Sequence, residues 1–231
     1  LREKQPTCVT VAKVDFSDGR VLAILRDTTS LQRLNIVSVN VAHAAPLIDL
    51  LFEHKRLQSL CLQSFASGNE VLWRFAGFLS KNSTLTELQL NSLTVNESAM
   101  QQFVRMSPRF SLRSLSFRNA HFNTGVSAQL APLVLSCTSL RDLRVIGCHV
   151  FEYDVRNILY AVLLRRDFES LSLVRRTVFD AEMHDVVDMN RNDYLEFIER
   201  SSAYGARLTR LDVLGQAFTV VAQRKIVRRM R

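Results

Sequence analysis

Leu140–Val150 reads LRDLRVIGCHV, with Leu140, Leu143 and Val145 in an L-x-x-L-x-L pattern and a further apolar residue, Val150, at the eleventh position. The same frame returns from Leu112 (LRSLSFRNAHF), Leu85 (LTELQLNSLTV), Leu57 (LQSLCLQSFAS) and Leu31 (LQRLNIVSVNV). It returns again from Phe168 (FESLSLVRRTV) and Leu208 (LTRLDVLGQAF), and a degenerate copy is read at Val11 (VAKVDFSDGRV). Starts at 11, 31, 57, 85, 112, 140, 168 and 208 are separated by 20, 26, 28, 27, 28, 28 and 40 residues. Apolar residues at alternate positions of a short run mark a half-buried strand. Recurrence of such a run every ~20–29 residues marks an array of stacked units, each burying its apolar edge against the next.

Between the strands the spacing changes to that of helices. Helix candidates are Ala44–Glu53, Glu70–Ser80, Glu97–Met106, Val126–Leu135 and Asp154–Leu164, with a helix-like VLAILR after the turn residues Ser17, Asp18 and Gly19. In the third unit Val71, Leu72, Phe75, Phe78 and Leu79 share one apolar face, with Trp73 off that stripe as rim packing. Asn69 and Asn96, each followed by an acid, read as helix caps.

A full helix in a unit of about 28 residues resembles the ribonuclease-inhibitor-like subclass of leucine-rich repeat proteins, over Val11–Val220. The resemblance implies an α/β solenoid, a horseshoe of about eight repeats with a parallel sheet on the concave face and helices on the convex face. It implies one domain across 1–231: a short N-terminal repeat or cap at 1–30, regular repeats at 31–178, an insertion at 179–207, and a last repeat with a basic cap at 208–231. Residues 1–10 read as an irregular lead-in. The family carries Asn or Cys at the ninth position, where the side chain bonds buried backbone. Here Gly19, Val39, Phe65, Leu93, Ala120, Cys148, Arg176 and Gln216 stand there, so only Cys148 conforms.

Composition sets the outer bounds. No apolar run reaches the ~18 residues needed to span a bilayer; the longest, Ile158–Leu164, is flanked by Arg156, Asn157, Arg165 and Arg166. The chain begins at Leu1, which reads as a processed or trimmed product. Four cysteines (Cys8, Cys61, Cys137, Cys148) have neither the density nor the spacing of a disulfide framework. They point to a reducing compartment, the cytoplasm first, with an organelle or a cytoskeletal assembly as alternatives. The net charge is +8, and 25 of the 30 basic residues are arginine, which grips carboxylate and phosphate bidentately. That balance suits an acidic protein surface, RNA or anionic lipid; solubility alone explains it equally.

Outward positions of the strands form the candidate surface. The second, third and fifth positions are neutral and polar in the first half of the array. The later units carry Arg113, Arg118, Arg141, Arg144, Arg175 and Arg210 with Asp142 among them, and the unit from Leu85 carries Glu87. The unit from Phe168 is about 12 residues longer than its neighbours, and the extra segment is acidic, with Asp180, Asp185, Asp188 and Tyr194 as candidate contacts. The C-terminus holds Arg224, Lys225, Arg228 and Arg229, a basic capping helix or an arm for phosphate or an acidic groove.

Catalytic patterns are missing. There is no G-x-S-x-G and no phosphate-cradling glycine loop. His121 and His149 share the tenth position of adjacent units beside Cys148, and Asp180–Asp188 (DAEMHDVVD) gathers carboxylates and a histidine. Neither set has metal-ligand spacing. We therefore expect no cofactor, no metal, no small-molecule substrate and no enzyme activity. The reading is a non-catalytic interaction scaffold that binds protein through its concave face and the acidic insertion. The alternative is a structural ribonucleoprotein subunit, although the strand positions offer no aromatic platform for bases. A recognition domain of a longer chain, such as an immune receptor or a ubiquitin-ligase adaptor, is a third reading.

Overall fold

The computed structural model describes residues 6–12, 19–37, 44–63, 68–174 and 208–214. Eight strands of five residues each form one parallel sheet in sequence order. They are β1 (Cys8–Ala12), β2 (Arg33–Val37), β3 (Ser59–Gln63), β4 (Glu87–Asn91), β6 (Ser114–Arg118), β8 (Asp142–Ile146), β9 (Ser170–Val174) and β10 (Arg210–Leu214). Between them lie α1 (Gly19–Asp27), α2 (Ala44–Glu53), α3 (Gly68–Leu79), α4 (Glu97–Met106), α5 (Leu130–Ser136) and α6 (Glu152–Leu164). A small second sheet pairs β5 (Thr94–Val95) with β7 (His121–Phe122) beyond the ends of β4 and β6. The sheet is open, and no helix of the described residues is long and apolar enough to cross a membrane.

One bonding pattern repeats at every strand junction. Two successive N–H groups at the start of a strand donate to a single carbonyl one unit upstream. Arg113 and Ser114 donate to Thr86, Arg141 and Asp142 to Arg113, and Glu169 and Ser170 to Arg141, all at 2.8–3.0 Å. This aligns the strands without slippage, so Leu60, Leu88, Leu115, Leu143 and Leu171 stand in one row and Leu62, Leu90, Phe117, Val145 and Leu173 in another. Both rows are buried in a single continuous core, with the helix residues Leu72, Phe75, Phe78, Phe103, Leu133 and Val162. A fully buried Leu of this kind contributes ~1.5–3 kcal/mol by leaving water. Edge-on aromatic pairs pack within units, as at Phe75–Phe78 and Phe103–Phe110, and between them, as at Phe52–Phe78.

The first unit corrects the sequence reading. Cys8 pairs with Arg33 and Val11 with Ile36, so the frame begins at Pro6, 25 residues before Leu31, and not at Val11. The N–H groups of Gln32 and Arg33 both donate to the Thr7 carbonyl, at 2.8 and 2.9 Å. Val11-x-x-Val14-x-Phe16 matches the pattern by residue type, but backbone pairing selects Val9 and Val11 as the inward residues. The expected lead-in therefore already contains most of a strand, and the first unit has the same length as the second to within a residue.

Two helices occupy the expected ranges, Ala44–Glu53 and Glu97–Met106, and the others shift for local reasons. Asn96 caps α4, its side chain accepting the Ala99 N–H at 2.9 Å. Asn69 is no cap, because α3 starts at Gly68; its side-chain oxygen accepts the Asn96 N–H at 2.6 Å and ties α3 to the next unit. The helix expected over Val126–Leu135 starts at Leu130 after a 3₁₀ turn, Ser127–Gln129. Pro132 explains this, since proline has no N–H to give and is accommodated only in a first helical turn. α6 starts two residues early, at Glu152, which places Asp154 in its first turn, where the helix dipole favours a carboxylate. Asp154 is buried and accepts a hydrogen bond from the Ser127 hydroxyl.

After each central strand the backbone enters the left-handed region at Ser92 (φ 54°), Asn119 (φ 51°) and Gly147 (φ 67°). These residues hold the same place in successive units. Their N–H groups extend the ladder, donating to Arg118, Ile146 and Val174 carbonyls at 2.8, 2.7 and 2.6 Å. A Cβ on Gly147 would run into the Asn119 side chain. Gly147→Ala should therefore cost about 1–2 kcal/mol in urea unfolding. Gly77→Ala, inside α3 with open space around it, should stabilise by about 0.5–1 kcal/mol.

His54 follows α2 and is buried, with Nε2 unpartnered while the ring bonds the Leu25 carbonyl. Burial lowers its pKa, with Glu53 pulling the other way. A base whose folded pKa is lowered binds more protons when unfolded, so stability drops as pH falls below about 6.5, the unfolded value. Urea midpoints at pH 7.5 and 5 should show this loss, and His54→Gln should remove that part of it.

Candidate interaction surface

Side chains alternate across a strand, so the residues between the buried rows point to the other side of the sheet. Successive right-handed crossovers in a sequential parallel sheet put their helices on one face. Most parallel sheets carry helices on both faces. Among the described residues this one has them only where the leucine rows lie, and its second face presents mainly polar side chains. In β4, β6 and β8 that face reads Glu87–Ser114–Asp142, then Gln89–Ser116–Arg144, then Asn91–Arg118–Ile146, each triplet in register.

The geometry sorts the sequence-derived residues into two groups. Asp142 Oδ2 accepts from the Ser114 hydroxyl and pairs with Arg144 Nη2, both at 2.8 Å. Arg210 pairs with Asp212 on its own strand at 2.7 Å. Arg141 turns to the end of the sheet, where Nη1 donates to the Thr138 carbonyl at 2.8 Å and pairs with Asp167 at 2.6 Å. Arg113, Arg118 and Glu87 have no side-chain hydrogen bond or ion pair to any described residue, and Arg113 and Glu87 are exposed. Arg175, Asp180, Asp185, Asp188, Tyr194, Arg224, Lys225, Arg228 and Arg229 lie outside the described residues.

The open face is not uniformly wet. Ser116 and Ser172 are 2% and 4% exposed, and each is the register partner of Arg144. A long side chain between two short ones covers them with its aliphatic stem. Four buried polar atoms here lack a partner: Asn91 Oδ1, Ser116 Oγ, Arg118 Nε and Asp142 Oδ1. Each such atom costs about 1–3 kcal/mol. The only other such side-chain atom among the described residues is His54 Nε2. Asn91 uses its amide nitrogen on Cys61 Sγ at 3.4 Å. Burial raises the Cys61 thiol pKa, and the Arg118 cation draws it partly back.

Arg165 and Asp167 carry a role that repeat patterning did not reveal. Arg165 is 10% exposed at its side chain, and its guanidinium bonds the carbonyls of Val134, Cys137, Thr138 and Leu140 at 2.6–2.9 Å and Asp167 at 2.8 Å. It thereby closes the C-terminal end of α5, whose last carbonyls have no intrahelical donor. Position gives one clue, since Thr28, His54 and Cys137 occupy equivalent turns, three residues before the leading apolar residue of the following strand.

The chemistry available on this surface is recognition. Among the described residues no three of His, Cys, Asp or Glu converge on a point. His121 is exposed and His149 packs edge-on to Phe151 with centroids 4.6 Å apart, while Cys148 is buried with its thiol near the Phe117 and Ile146 carbonyls. Burial pushes that thiol up to about 11 and makes it a poor nucleophile at neutral pH. No known protein-family profile matches this chain, and no curated protein matches it.

Arg165→Met should cost about 2–4 kcal/mol in urea unfolding, since it removes a charged donor from each of four carbonyls and buries no replacement. Arg26→Gln, which removes the exposed pair with Glu53, should cost less than about 1 kcal/mol. The Arg165 hydrogen bond lowers the Asp167 pKa most; burial, the next effect, opposes it, and the Arg165 and Arg141 charges add to the lowering. That contribution is present above about pH 4 and is lost as pH falls through the lower folded value, so Asp167→Asn should flatten the acid limb.

Proposed function

We propose that this chain is a non-catalytic protein-interaction scaffold, built as a leucine-rich repeat horseshoe whose concave face is the open side of the sheet. The observation that carries the reading is the parallel sheet with one face free of helices and lined by polar residues in fixed rows. Such a face is ordered before binding, so a partner meets it at little conformational cost. The units recur in length, bonding and turn geometry, which supports the repeat reading. In this reading the acidic segment 179–207 adds specificity. All four cysteines are free thiols, which supports a reducing compartment, the cytoplasm first.

The test is a pull-down with the intact chain, with and without nuclease, beside the double variant Arg113→Glu/Arg144→Glu. Proteins retained after nuclease and lost with the double variant are the expected result. Retention that disappears on nuclease treatment would instead favour RNA, the runner-up raised by the +8 charge. Unchanged retention by the double variant would remove the open face from the reading.

A further inference from the structure

The four unpartnered atoms are not scattered. Asn91, Ser116, Arg118 and Asp142 lie on three consecutive strands of the same face, and Arg118 has Asn91 on one side and the apolar Ile146 on the other. Neighbouring strands are ~4.8 Å apart and alternate residues of a strand ~6.6 Å apart, so the group fits beneath two or three residues of an extended peptide. It contains one unpaired guanidinium, one hydroxyl and two unpaired acceptor oxygens.

We infer that Arg118, with Ser116 beside it, is the seat for a carboxylate on an extended acidic segment of a partner protein. The inference rests on the open-face reading above. A guanidinium donates two parallel N–H bonds to a carboxylate, and the Ser116 hydroxyl supplies a third donor. The backbone N–H groups of the same segment meet the acceptors Asn91 Oδ1 and Asp142 Oδ1. Neighbouring side chains shield these atoms in the free chain, so seating the segment turns Arg118 out from the sheet. Exposed Arg113, at the start of the same strand, extends the positive surface along the segment.

A phosphate backbone fits less well. No described strand carries an aromatic residue on this face for a base to stack on.

The probe is a fluorescein-labelled octaglutamate peptide, titrated by anisotropy at low salt against the intact 231-residue chain and its variants. Arg118→Gln should weaken binding about tenfold or more. Arg118→Lys should recover only part of it, because an ammonium keeps the charge and lacks the fork. Ser116→Ala should weaken binding a few-fold, and Arg26→Gln, on the helix side, should leave it unchanged. Thermal unfolding of each variant establishes that the fold is kept. No saturable binding, equal affinity with Arg118→Gln, or full recovery with Arg118→Lys would overturn the seat. A uridine octanucleotide that bound more tightly than octaglutamate, with the same dependence on Arg118, would also overturn it in favour of phosphate. Should the pull-down respond to Arg113→Glu/Arg144→Glu while octaglutamate ignores Arg118→Gln, the scaffold reading stands and this seat falls.

Discussion

A strand of five residues buries three side chains at most, too few to hold itself in place. The paired donation of two N–H groups to one upstream carbonyl solves this by locking each strand to its predecessor at a single register. Thr7, Gln32, Gln58, Thr86, Arg113, Arg141 and Glu169 each supply that carbonyl. A slip of one residue would turn every leucine of a unit to the polar face, so the pairing and the core enforce each other. Stability accumulates by neighbouring interfaces, and no unit has a core of its own.

Register also dictates which face is free. Successive right-handed crossovers place α1 to α6 on the leucine side, and the second face keeps rows of Ser, Arg, Asn, Gln and Asp. Those rows belong to different units, yet pairing brings residues about 28 apart in sequence into contact range. Arg144 meets Asp142 on its own strand and covers serines on both neighbours. The outcome is a surface on which several charges are balanced internally, while Arg33, Arg113, Arg118 and Glu87 have no ion pair to a described residue.

Fastenings outside the ladder differ from unit to unit. Asn69 holds the start of the next helix, Arg165 closes the end of α5, and left-handed turns at Ser92, Asn119 and Gly147 carry the bonding past the strand ends. Each solves the same problem, the unpaired backbone groups where a helix or strand stops. Different residue types solve it because backbone donors and acceptors accept any correctly placed partner. The ninth position varies from unit to unit for that reason: the Cys148 thiol reaches buried carbonyls, while Leu93 and Ala120 at the equivalent places join the core.

Apolar periodicity alone determined the strand–helix alternation and the identity of most inward rows, while the parallel order was implied by the resemblance that the unit length carries. Burial is a property of residue type at a fixed period, and that is written locally. The ranges of α2 and α4 and the cap at Asn96 follow from equally local chemistry. Register at the first strand did not, because Val11-x-x-Val14-x-Phe16 and Pro6-x-x-Val9-x-Val11 both fit the pattern, and only hydrogen bonding across to β2 separates them. The state of the arginines was hidden for the same reason. Arg113, Arg118, Arg141 and Arg144 look alike in sequence, but a salt bridge depends on which strand lies alongside. Tertiary pairing placed Arg141 beside Asp167 and left Arg118 between an amide and an isoleucine with no counter-charge among the described residues, whereas Arg144 found Asp142 two residues away on its own strand.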